Sequence, residues 1–130
     1  MTEERARDRL GRPLPRDADP ADAVPGVPVN DHLSAEQAWS QALDYLDQGM
    51  PFHAHEVFEM RWRQAPADER AAWQALAQWG AALTHEARGN DIGARRVASR
   101  AQALLVSASV VPACIDVDSV VASCRRLASS

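Results

Sequence analysis

The chain contains no lysine. All 14 of its basic residues are arginine, set against 18 acids for a formal net charge of −4. Nucleic-acid backbones are held by a net basic surface or stripe, so this balance argues against DNA or RNA as a partner. Cysteine is scarce as well: Cys114 and Cys124 stand ten residues apart, with no second thiol pair or histidine cluster beside them. That spacing fits neither a zinc pattern nor a disulfide framework, so both thiols are expected reduced, with Cys124 packed as a small hydrophobe. No apolar run approaches the roughly 20 residues needed to span a bilayer. The arginines near the N-terminus have no apolar stretch behind them, which speaks against a secretory signal and makes the cytoplasm the expected compartment. Glycine-rich phosphate loops, nucleophile elbows and strand-like segments are all missing, and aromatics make up only 5%.

What is present is alanine and helix punctuation. A 130-residue chain with 46% hydrophobic residues is one domain by length, and its Ala-rich, aromatic-poor composition favours helices. Residues 1–31 read as a disordered or extended arm, because five of the eight prolines fall there, as in Val24-Pro25-Gly26-Val27-Pro28. The arm has no amphipathic face, which predicts that it is dispensable for folding, although Leu14, Val24, Val27 and Val29 would let part of it lie along the rest. Residues 32–130 read as a helical bundle domain. A first helix starts at the N-cap Ser34, with Gln37 completing a capping box, and ends at Gly49. A second runs from near Pro51 to Gln64 and stops at Ala65-Pro66. A third spans Ala67 to Arg88 before Gly89-Asn90, a fourth follows an N-cap at Asp91 to about Ser107, and a fifth is capped by Asp116. The third helix is apolar all round, through Trp73, Leu76, Gly80 and Leu83 on one side and Ala75, Trp79 and Ala82 on another, which predicts a central position. The fold class is therefore all-α: a five-helix bundle with a central helix. An internal echo at an offset of 40 residues pairs Trp39 with Trp79, Ala42-Leu43 with Ala82-Leu83, Gly49 with Gly89 and Ala54 with Ala94. It suggests two helical hairpins with tetratricopeptide-like packing.

One constellation invites chemistry. His55, Glu59 and Trp62 fall at i, i+4 and i+7 of the second helix, so an imidazole and a carboxylate share a face with a large aromatic. Such a pair can serve acid–base work or metal ligation, which makes Glu59 and His55 the catalytic candidates. Gln74, Gln78 and His85 form a thin polar stripe on the third helix, and an antiparallel second and third helix would bring His55 near His85 or Gln78. Sharper motifs fail: the run beginning His55-Glu56 lacks the second histidine of a zinc-protease helix, and His53 and His55 point apart. The competing reading is architectural, a satisfied His–Glu network that fixes helix register.

These residues resemble a known family. His55-x-x-x-Glu59-x-x-Trp62 is similar to the H-x-x-x-E-x-x-W signature of the family called domain of unknown function 309. The stretches Ala77-Gln78-Trp79-Gly80-Ala81-Ala82-Leu83-Thr84-His85, Arg88-Gly89-Asn90 and Gly93-Ala94-Arg95 resemble its second block, so that the likeness covers about residues 36–105. The resemblance implies a helical bundle, the motif positions His55, Glu59, Trp62, Gln78, His85 and Arg95, and a label sometimes attached to the family, metal-dependent hydrolase. Two readings stand open on the sequence. In one, a non-catalytic binding or interaction module carries a buried His–Glu network and takes an unidentified protein or small-molecule partner, with no membrane partner and the oligomeric state open. In the other, a small metal-dependent hydrolase uses a divalent metal held by His55, Glu59 and His85.

Overall fold

The computed structural model of the chain describes residues 6–129. Among them are five α-helices: α1 (Ala35–Asp47), α2 (Pro51–Gln64), α3 (Arg70–Ala87), α4 (Asp91–Ser107) and α5 (Val117–Ser129). Two single turns of 3-10 helix, Pro20–Asp22 and Ala67–Glu69, and one isolated bridge between Arg7 and Pro13 complete the secondary structure. The all-α bundle follows from punctuation the sequence supplies. Ser34 accepts from the Gln37 amide while the Gln37 side chain accepts from the Ser34 amide, a complete capping box. Asp116 caps α5 through the amide and hydroxyl of Ser119.

Two boundaries differ from expectation. The α-helical part of the third segment begins at Arg70, because residues 67–69 form the tighter 3-10 turn. The Glu69 carboxylate at its end accepts from both the Trp73 indole and the Arg61 guanidinium. The cap of α4 is Asn90 rather than Asp91: the Asn90 Oδ1 takes the Gly93 amide at 3.0 Å. Asp91 then sits in the first turn, where its charge complements the helix dipole.

Helix α3 is central, as its all-round apolarity requires. It packs on α2, α4 and α5, and Trp79 stacks on Trp39 of α1 with ring centroids 6.5 Å apart. Trp73, Leu76, Ala75 and Ala82 are buried on its different sides. The α2–α3 crossing is built on Gly80. A Cβ placed there would stand 2.9 Å from the Cα of His55, a backbone atom that cannot swing away.

The 40-residue echo is a structural repeat. Helices α1 and α3 end at Asp47 and Ala87, and α2 and α4 start at Pro51 and Asp91. The C-caps Gln48 and Arg88 share φ −84° and ψ 0°. Gly49 and Gly89 then turn the chain at φ +72° and +81°, a region that favours glycine. Ala42 and Ala82 are both buried, as are Ala54 and Ala94. The two hairpins therefore use the same turn and the same small contacts.

Residues 6–31 contain no α-helix and run over the bundle. Near their start, the Asp8 carboxylate accepts the amides of Leu10 and Arg12. Burial pushes the Asp8 carboxyl up, but these hydrogen bonds and the Arg12 guanidinium outweigh it and hold the group below its usual range. Gly11, at φ +78°, lies flat against the Phe52 ring, where no side chain would fit. Arg9 reaches the Gln48 carbonyl, and Arg88 donates to the Leu10 carbonyl through Nε and Nη2 at 3.0 and 2.7 Å.

Candidate functional site

Helix α2 presents two different polar stripes. The first carries the motif. His55 and Glu59 lie one turn apart, with Nε2 and Oε1 separated by 3.9 Å and side chains 23% and 31% exposed. Glu59 also faces Arg63 at 3.9 Å. Both distances exceed hydrogen-bond length, so the contact is a loose electrostatic one. The expected buried His–Glu network is thus corrected to a half-buried pair at the edge of the α2–α3 contact. At the crossing the His55 backbone lies against Gly80, and its side chain borders the open cleft beside α3 rather than the core. Its Nδ1 is nevertheless buried and has no hydrogen-bond partner. Trp62, the last motif position, packs partly buried against the hydrophobic core.

The second block is split by the fold. His85 comes to the same side as His55, and the two line one cleft of about 170 Å³ with Phe52, Ala81, Thr84 and Arg88. Gln78 does not line it; its Oε1 is buried without a partner. Arg95 is exposed on α4 and lies outside the cleft. The His85 ring is fixed by α4: because Asn90 Oδ1 is occupied by the Gly93 amide, its Nδ2 faces His85 Nδ1 at 3.1 Å and donates to it. In neutral His85 the ring proton therefore sits on Nε2. Gly93 makes this possible, since a Cβ there would lie 2.6 Å from Asn90 Nδ2 and 2.9 Å from His85 Nδ1.

Among the described residues, no three His, Cys, Asp or Glu side chains gather where they could hold one metal ion. His55 and His85 share a cleft, but Glu59, a turn farther along α2, does not line it. Among the described residues, His55, Glu59 and His85 are thus not gathered as one three-ligand set.

The second stripe on α2 was missed from the sequence. His53 is 2% exposed, and its Nε2 lies 2.8 Å from the Pro25 carbonyl. A carbonyl only accepts, so Nε2 carries the proton; the buried Nδ1 has no partner. Its ring sits 5.2 Å from that of Tyr45. Eleven residues on, Gln64 donates to the Asn30 carbonyl at 2.6 Å and accepts from the Leu33 amide at 2.9 Å. Between them Arg61 donates to the Leu33 carbonyl at 3.1 Å. His53, Arg61 and Gln64 fall at i, i+8 and i+11, with fully buried Val57 at i+4. The shared stripe with Val57 was the signal that His53 points inward.

Residues 39–97 match the model of a family described only as a domain of unknown function, DUF309. This segment is a DUF309 domain. The match begins at Trp39 in α1 and ends at Val97 in α4, so the DUF309 segment takes in both repeated turns and the motif-bearing α2. The residues at 6–31 and helix α5 lie outside it. No curated protein and no solved structure matches the chain.

Proposed function

We propose that the DUF309 domain here is a non-catalytic interaction module whose α1–α2 face holds an extended, proline-containing segment by its backbone. The observation that carries the reading is the contact of His53, Arg61 and Gln64 with the main chain at Pro25, Asn30 and Leu33. Backbone readout of this kind suits proline-rich segments, which enter binding already extended and lose little entropy. Val27 packs against the core while Val29 stays 83% exposed, so the face takes apolar side chains selectively. The chain's own arm occupies the face in cis, and a partner segment of like chemistry would replace it.

The test is competition in the full-length protein. A synthetic peptide with the sequence of residues 21–33 has to compete with a tethered arm at an effective concentration on the order of millimolar. At such concentrations the peptide should shift the backbone resonances of residues 24–30 toward free-chain values. Gln64→Ala should weaken the peptide's binding, and a proline-free scrambled peptide should do nothing. Equal effects from the scrambled peptide would refute the reading.

A further inference from the structure

The cleft of His55, Thr84, His85 and Arg88 is not used by that reading, and its chemistry is of one kind. No carboxylate lines it. In neutral His85 the Asn90 amide keeps the ring proton on Nε2. Arg88 turns two donors of its fork, Nε and Nη2, onto a single neutral oxygen, the Leu10 carbonyl. Its guanidinium and that of Arg7 lie over the Phe52 ring at 5.8 and 5.6 Å from the centroid. Among the described residues neither arginine forms an ion pair; Arg7 also spends its Nη1 on a carbonyl, that of Gly11. The Arg88 guanidinium and a histidine donor thus share one carboxylate-free cleft in a protein whose net charge is −4, and Arg7 caps the Phe52 wall only while the 7–13 turn stays docked.

We infer that this cleft is a binding site for a phosphate-class oxyanion, free or as a phosphomonoester, which takes the fork of Arg88 from the Leu10 carbonyl. An anionic oxygen is the stronger acceptor for a guanidinium, and charge-assisted bonds are roughly twice as strong as neutral ones. The 170 Å³ cleft is large enough for a tetrahedral oxyanion but not for an extended ligand inside it. Phe52 would form the apolar wall against which the organic part of a monoester lies. Binding and release of the 7–13 turn are then one event, because both oxygens need the same edge of Arg88.

The experiment uses the full-length protein with inorganic phosphate, compared with chloride at matched ionic strength. Phosphate should produce a saturable shift of the His85 ring and Arg88 Nε resonances. Trypsin cleavage after Arg9 should rise roughly threefold as the turn is freed, since cleavage follows the open population, whereas the Arg12–Pro13 bond stays uncut because trypsin does not cleave before proline. Arg88→Gln should abolish the saturable response, while Arg95→Gln, an exposed arginine outside the cleft, should keep it. Tighter binding of phosphoserine than of phosphate would assign the site to monoesters, and equal binding to the free ion. A non-saturating response, equal loss in both variants, or saturation without faster cleavage overturns the inference. Because the docking reading is tested by residues 24–30 and Gln64, either can fail without the other.

Discussion

Each cysteine shows how far one residue's surroundings set its chemistry. Cys124 is fully buried among Val120, Leu127 and their neighbours on α5, and burial pushes its thiol up to about 11. Cys114 is half-buried, and its thiol is raised by burial and, after that, by the nearby Glu36 carboxylate. The thiolate is the reactive form, so at pH 8 roughly one Cys124 in a thousand is reactive, and that one is shielded by packing. Iodoacetamide should therefore alkylate Cys114 first in the folded protein, with Cys124 reacting only as fast as the chain opens. Mass spectrometry of a time course checks this, and equal rates would mean that α5 does not stay docked. The packing of Cys124 could be read from its apolar stripe in the sequence. The environment of Cys114, set by residues nearly 80 positions away, could not.

Elements were legible where the signal was local, and less so where it depended on a neighbour. The capping box at Ser34, the proline start of α2 and the glycine ends of α1 and α3 depend on a few consecutive residues, and they stand where the sequence put them. Asn90 and Asp91 are both good caps, and the contact with His85 from the preceding helix favours Asn90. The motif stripe on α2 was likewise visible by spacing, but its burial was not, because the Gly80 that the His55 backbone packs against lies on another helix. That crossing carries the prediction at this scale. Gly80→Ala would gain about 1 kcal/mol from helix propensity at a free site. Here the new methyl meets the α2 backbone at 2.9 Å. Overpacking should outweigh the gain, for a net loss of roughly 1–3 kcal/mol in urea unfolding. A stabilised variant would refute a close α2–α3 crossing.

At the scale of the whole molecule the repeated hairpins and the segment along them are two kinds of structure. The hairpins bury alanines at matching positions beside a shared turn, which is why a composition poor in large side chains still closes a core around Trp73, Trp79 and Phe58. Residues 6–31 contribute mostly polar contacts, and composition alone suggested that the arm adds nothing to stability. Its contacts lead to a different expectation. Removing residues 1–31 would uncover Phe52 and strip Val27 from the core edge. It would also take the Leu10 carbonyl from Arg88 and the Pro25 carbonyl from His53. Water can replace the polar partners at little net cost, so the loss rests on the apolar cover and on the packed arginine stems. Partial burial of two side chains is worth about 1–2 kcal/mol. For a domain near 100 residues that corresponds to a fall in Tm of roughly 5–10 °C. Thermal unfolding of the shortened and full-length chains, followed by circular dichroism, decides the matter. An unchanged Tm would mean that the arm's ordering entropy cancels its contacts, leaving it free to exchange with a partner at no cost to the fold.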